Sequence, residues 1–147
     1  MFLVEPYIRN LENLYREHGN PVFAEGASRY MKYRFPYFGV KTPLRRELAA
    51  AFVAAHGLPA GEDLKALCRS CFDAEYRDIH YFVGDALRKK IKTLEVSFLD
   101  VFEELIGVNS WWDSVDFLAP KLAGGLFLRF PEQIPLYTDR WIESDNF

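Results

Sequence analysis

Apolar residues recur along most of this sequence at the three- and four-residue spacing of an amphipathic α-helix. Alternating strand patterns bounded by tight hairpin turns are nearly absent. The sequence therefore predicts an all-α fold. Short connections between the helices favour antiparallel neighbours. The helical segments are predicted at 6–18, 21–33, 42–55, 63–72, 75–90, 94–106, from 110 onward, and from 131 to about 137 or later.

Local signals indicate where several of these helices begin and end. Thr42 is predicted to cap the third helix, with Pro43 at its first position. The Gly124–Gly125 pair is predicted to break or weaken the seventh helix, leaving a short apolar turn over 126–130. Trp141 is predicted to begin another segment.

The predicted helices pair into units of about 40 residues, which is the spacing of HEAT-type repeats. With 147 residues, the chain is long enough for one domain with its own core, and we predict a single domain over residues 1–147. No self-similarity relates the pairs, so periodicity alone leaves a compact bundle beside a solenoid of stacked pairs.

The two cysteines form a C-x-x-C pattern, Cys68 to Cys71. A zinc site needs two further ligands at suitable spacing, and His56 and His80 do not supply that spacing. A redox pair belongs in a βαβ context, which this sequence lacks. We therefore predict two ordinary reduced thiols within a helix.

Positive charge is concentrated in one segment, although the chain as a whole carries a net charge of −3. Residues 29–46 hold six basic residues and no acidic one, whereas the rest of the chain holds 12 basic and 21 acidic residues. Such a patch on an acidic body is typical of a directed contact with an anion, and the alternative is a solvated helix surface. The six are Arg29, Lys32, Arg34, Lys41, Arg45 and Arg46.

No apolar run reaches the length of a membrane span, and the first residues lack the basic and apolar regions of a signal peptide. The default expectation is a cytoplasmic protein.

The stretch 110–116 is unusual because two adjacent tryptophans stand beside two aspartates. Ser110 is a suitable N-cap, and Asp113 three residues later resembles the acidic arm of a capping box. Trp112 and Asp116 lie one helical turn apart, on a face about 100° round from the apolar one. This pair needs an explanation other than capping or packing. The apolar, core-facing stripe consists of Trp111, Val115, Leu118 and Leu122.

Five stretches together resemble the DNA alkylation repair family, the AlkD-like DNA glycosylases built from HEAT-like repeats. Their order and spacing match over essentially the whole chain, and two of them are quite specific, the Trp-Trp-Asp-Ser-Val-Asp string and the string from Tyr30-Met31-Lys32 to Gly39-Val40. The stretches are Arg29-Tyr30-Met31-Lys32 running into 35–40, Thr42-Pro43-Leu44-Arg45-Arg46, Glu75-Tyr76-Arg77-Asp78, Ser110-Trp111-Trp112-Asp113-Ser114-Val115-Asp116 and 141–146.

The resemblance implies a curved HEAT-like α-solenoid whose concave face holds duplex DNA. It implies hydrolysis of the N-glycosidic bond of N3- or N7-alkylated purines without a metal or organic cofactor. Asp116 matches the catalytic carboxylate, Trp112 matches a tryptophan lining the site, and Tyr30 matches a nearby tyrosine. Contact is expected through the backbone and sugar rather than through a base-extrusion pocket.

The basic segment would then contact phosphates, which position a protein on DNA without reading sequence. The candidates are Lys32, Lys41, Arg45 and Arg46. The alternatives are structural. Tyr30 would be an amphipathic core tyrosine with its hydroxyl at the surface, Asp116 a partly buried acid bonded to a neighbouring helix terminus, and Trp112 a residue of helix–helix packing.

The family pattern continues past the last residues of this chain, so the resemblance implies an N-terminal fragment. A solenoid cut within its stack exposes an apolar face, which predicts self-association through that end. Two rival functions stay open, a non-catalytic helical-repeat DNA-binding protein and a protein-interaction scaffold.

Overall fold

A computed structural model describes residues 1–109, 113 and 118–144, and every regular element in them is helical, with no strand. The α-helices are α1 (Val4–Glu17), α2 (Pro21–Tyr30), α3 (Thr42–His56), α4 (Gly61–Asp73), α5 (Arg77–Leu87), α6 (Phe98–Ile106), α7 (Gly124–Arg129) and α8 (Ile134–Ser144). Short 3₁₀ helices span Ile91–Thr93 and Pro131–Gln133, and a π-helix spans Leu118–Ala123. The predicted all-α fold of packed helices is confirmed for the described residues.

The chain divides into two compact units, Met1–Ala86 and Leu87–Phe147. The single domain expected over residues 1–147 stays a prediction beside this division. In the first unit α1 packs against both α3 and α4. Its buried side chains follow the predicted helical spacing, and they include Leu11, Tyr15, Phe52, Leu67, Phe72 and Phe82.

In the second unit α6 packs against the π-helix, and α7 packs against the π-helix and both 3₁₀ helices. Leu118 and Leu122 are fully buried, as the predicted apolar stripe requires. The remaining members of that stripe, Trp111 and Val115, lie outside the described residues.

The end of α2 differs from the prediction. The helix stops at Tyr30 rather than Tyr33, because Lys32 and Tyr33 adopt left-handed backbone conformations with φ of 56° and 59°. Two consecutive non-glycine residues of this kind are rare, and their sequence gives no warning of the turn. The helix also buries none of its own residues.

The predicted cap of α3 is wrong. Lys41, with φ −64° and ψ 150°, precedes the first helical residue and is the N-cap, without a side-chain cap hydrogen bond. Thr42 is already helical, and Pro43 follows it in the first turn, where its missing N–H is not needed.

Two boundaries near the C-terminus are also wrong. The sequence predicts a turn over residues 126–130, but α7 runs through them to Arg129. Gly125 is instead a packing position, because a Cβ there would lie 2.7 Å from a side-chain methyl of Ile91. Trp141 begins no new segment, since α8 continues from Ile134 to Ser144.

The prediction for the cysteines is confirmed. Cys68 and Cys71 are free, buried thiols in α4, and burial raises the pKa of Cys68 to about 12. In the part of the chain that the structure describes, no three His, Cys, Asp or Glu side chains are grouped as a metal site. No helix among those residues has both the length and the apolar character needed to cross a membrane.

Candidate nucleic-acid interface

One of the two specific sequence motifs, the string 110–116, falls largely outside the described residues. Trp112 and Asp116, the predicted catalytic pair, both lie there, as does the predicted cap Ser110. Asp113 is described, and it is helical and half-buried. The basic segment of the first unit and the helix α5 that holds it in place lie within the described residues.

The aromatic loop, residues 34–41, joins α2 to α3, and a buried carboxylate is one of the groups that hold it. The Asp78 side chain, 1% exposed, accepts the backbone N–H of Phe38 at 2.8 Å and that of Val40 at 3.2 Å. Burial raises the pKa of Asp78, while the hydrogen bonds from these two N–H groups oppose the rise. The carboxylate thus fixes the loop backbone at two alternate residues.

Arg77, next to Asp78 in sequence, holds the first half of the loop. Its backbone N–H donates to the carbonyl of Pro36 at 3.0 Å, and its guanidinium lies 4.0 Å from the ring centroid of Phe35. The guanidinium also lies 3.0 Å from Nδ1 of His80, whose Nε2 is 2.6 Å from the carbonyl of Ala74. Because an arginine can only donate, these contacts define the neutral Nε2–H tautomer of His80.

The far side of the loop contacts the end of α1 and the start of α2. The N–H of Asn20 donates to the carbonyl of Gly39 at 3.0 Å, and Gly39 has a φ of +91°. A Cβ at Gly39 would lie 2.2 Å from the carbonyl oxygen of Asn20, so only glycine fits this backbone. The loop is therefore held between α5 on one side and the α1–α2 connection on the other.

Two neighbouring arginines of the predicted DNA-binding set occupy different environments. The Arg45 side chain is 12% exposed and makes a bidentate pair with the buried carboxylate of Asp85, at 2.7 and 3.2 Å. Burial alone would lower the Arg45 pKa, but the hydrogen bonds and charge of Asp85 raise it overall. Arg46 is half exposed, with its Nε 3.9 Å from the same carboxylate.

The other predicted contacts lie at the surface. Lys32 and Lys41 are exposed, and the Lys41 ammonium lies 5.7 Å from the ring centroid of Phe23. Tyr30 is 72% exposed, which excludes the alternative of a core tyrosine. Within the described residues, neither lysine forms a salt bridge. Lys32, Lys41 and Arg46 are thus accessible cations, whereas the charge of Arg45 is already balanced.

Sequence reasoning did not assign Asp78 or Asp85 a role. The sequence did contain a spacing that groups these two residues. Asp78, Tyr81 and Asp85 stand at i, i+3 and i+7, so they lie on one side of α5. The partners could not be read from it, because the loop amides and Arg45 lie about 40 residues earlier in the chain.

The first unit thus combines an all-helical scaffold with accessible cations beside a tightly fixed loop, as in proteins that contact an extended anion. The family model for "DNA alkylation repair enzyme" matches residues 11–147, and the chain belongs to that family. Family membership supports a role in DNA repair and an enzymatic one. No curated protein matches the chain.

Proposed function

We propose that the protein is a DNA glycosylase that hydrolyses the N-glycosidic bond of positively charged N3- or N7-alkylated purines in duplex DNA. The observation that carries the proposal is the match to the DNA alkylation repair family across residues 11–147, a span that includes the Trp-Trp-Asp-Ser-Val-Asp string. The exposed cations of the first unit support duplex DNA as the substrate.

The proposed chemistry needs little acid assistance. Alkylation at N3 or N7 makes the purine cationic, so the base leaves neutral and the positive charge moves onto the sugar. The transition state resembles an oxocarbenium ion, which a fixed carboxylate near C1′ stabilises. We assign this role to Asp116, which the family resemblance matches to the catalytic carboxylate. The reference pKa of an aspartate side chain is about 3.9, so a carboxylate suits this role at neutral pH.

Asp116 would also orient the attacking water, and the indole of Trp112 would contact the sugar and the cationic base. A cation–π contact of that kind contributes about 0.5–2 kcal/mol. Neither role calls for a metal ion or an organic cofactor.

The DNA contacts divide into two groups. Lys32, Lys41 and Arg46 are assigned to phosphates, because all three are accessible, and Tyr30 is assigned to the DNA surface beside them. Arg45 receives a structural role within this interface, since its guanidinium is committed to Asp85.

The test is release of 7-methylguanine from duplex DNA by the wild-type chain and by Asp116→Asn. We expect the variant to lose base release while it keeps or gains DNA affinity, because a negative charge is removed. Asp113→Asn is the matched control, being the same substitution in the same stretch, and it should retain release. Undiminished release by Asp116→Asn would overturn the assignment, and DNA binding by a wild type without release would favour the non-catalytic alternative.

Self-association belongs to the same proposal. Leu128 and Leu136 are exposed apolar side chains, at 87% and 60%, in the second unit. Sedimentation velocity across a concentration series should reveal dimers, and their loss in a Leu128→Glu, Leu136→Glu double variant would locate the contact. A monomer at every concentration would overturn this part of the proposal.

A further inference from the structure

Asp78 fixes the direction in which the aromatic loop leaves the core. Burial of Phe38 and Val40 holds the loop against the unit, but apolar contacts are not directional. Hydrogen bonds are directional, and the Asp78 carboxylate takes two of them, from amides on either side of Gly39. The next residue after the second amide is Lys41.

Lys41 is constrained by three neighbouring features. Its amide follows Val40, whose N–H is bonded to Asp78. Its carbonyl accepts the N–H of Arg45 at 2.7 Å, which joins it to the first turn of α3. Its ammonium lies over the ring of Phe23 in α2. The Lys41 side chain therefore begins from a fixed backbone and ends in an exposed cation.

A carboxylate is costly to bury without partners, and Asp78 lies in the interior of the first unit. The two loop amides are its partners in the loop, so loss of the charge or of the acceptor geometry removes the contacts that hold the loop backbone at Phe38 and Val40.

We propose that Asp78 is a positioning residue for DNA binding, which acts through the backbone of the aromatic loop to aim the Lys41 ammonium at a phosphate. This inference rests on the proposed function, because it needs duplex DNA as the ligand. It adds a residue that touches no DNA itself and that family membership does not assign.

The experiment measures how the affinity for an unmodified DNA duplex depends on salt, in four proteins: wild type, Lys41→Gln, Asp78→Asn and the double variant. Loss of one phosphate contact lowers the magnitude of the log–log salt slope by about 0.9. We expect this loss in Lys41→Gln, the same loss in Asp78→Asn, and no further loss in the double variant. Additive losses would show that Asp78 does not act through Lys41, and would overturn the inference.

Leu67→Ala is the control for stability, because it removes a buried side chain of α4. It should lower Tm without changing the slope. If Asp78→Asn behaves the same way, its role is only structural and the inference is wrong. Should Asp78→Asn not fold, Asp78→Glu keeps the charge but moves both acceptor oxygens by one methylene, and it is expected to show a loss of slope, while an unchanged slope in the folded variant overturns the inference. A wild type that does not bind DNA overturns the proposed function itself, and this inference with it.

Discussion

The guanidinium of Arg45 and the carboxylate of Asp85 form a bidentate pair inside the first unit, with the guanidinium 4.6 Å from the ring centroid of Tyr81. Arg46 is the next residue in sequence, yet half of its side chain is exposed. Two adjacent arginines in one predicted DNA-binding segment therefore lie in different environments. Arg45 faces Asp85 of α5, and Arg46 faces solvent.

This difference predicts opposite outcomes for the same substitution. Arg45→Gln leaves the carboxylate of Asp85 buried without its main partner, and breaking such a pair costs about 3–5 kcal/mol of unfolding free energy. Arg46→Gln is a surface change and should cost no more than about 0.5 kcal/mol. Urea denaturation of the two variants measures both values.

DNA binding should show the reverse order for these variants. Arg46→Gln removes a proposed phosphate contact and should lower the magnitude of the salt slope by about 0.9. Arg45→Gln, measured where it is folded, should leave the slope unchanged. A lower slope for Arg45→Gln with normal stability would contradict the structural role assigned to that residue.

Two glycines of the first unit offer a second matched pair. Gly26 lies in α2, and a Cβ added there would have nothing within 4 Å, so Gly26→Ala should stabilise the protein by about 0.5–1 kcal/mol. A Cβ at Gly19 would lie 2.2 Å from the carbonyl oxygen of Phe38, so Gly19→Ala should destabilise it. Thermal denaturation gives the sign of each change, and equal signs would contradict the close packing of Gly19 against the aromatic loop.

The helices were readable from the sequence because their signals are local. Leu11 and Tyr15 in α1 are buried where apolar spacing placed them, and the cysteines of α4 are the reduced thiols that their context indicated. Local signals failed where neighbours decide the conformation. The left-handed pair Lys32–Tyr33 ends α2 although neither residue is glycine or asparagine.

The candidate interface was only partly readable for the same reason. The distribution of charge located the basic segment, and three of its cations, Lys32, Lys41 and Arg46, are exposed, while their contact with DNA stays a prediction. The pattern could not separate Arg45 from Arg46, because their difference depends on Asp85, which lies 40 residues further along the chain. Long-range pairing of this kind leaves no periodic trace in a single sequence.

Alkaline pH is expected to destabilise the protein through groups buried in its first unit. Burial raises the pKa of Cys68 and that of Tyr7 to about 12 each, so the folded state binds these protons more tightly than the unfolded state. The contribution of these two groups to the unfolding free energy should therefore be complete below about pH 8.5 and should fall as pH rises toward 12. Cys68→Ala should show a shallower fall between about pH 9 and 11 in denaturation experiments, measured relative to its own value at neutral pH. A fall of equal steepness would exclude Cys68 as a source.

Arg129 should be the residue that fixes the position of α7 in the second unit. Its guanidinium donates to the carbonyl of Leu94 at 2.7 Å and to that of Ile91, so one side chain joins α7 to a segment 35 residues earlier. Arg129→Ala leaves two carbonyls without this donor and should cost about 1.5–3 kcal/mol, the range for hydrogen bonds to charged groups. Arg129→Lys keeps the charge but not the planar donor geometry, so it should recover only part of the loss.

Hydrogen exchange separates this local role from general destabilisation. Because Arg129 binds the carbonyls of Ile91 and Leu94, the amides around the 3₁₀ helix Ile91–Thr93 should exchange faster in Arg129→Ala than those of α6. Lys121→Ala, an exposed change in the same unit, should leave both sets of amides unaltered. Uniformly faster exchange across the second unit would mean that Arg129 contributes to overall stability instead of tying α7 to that segment.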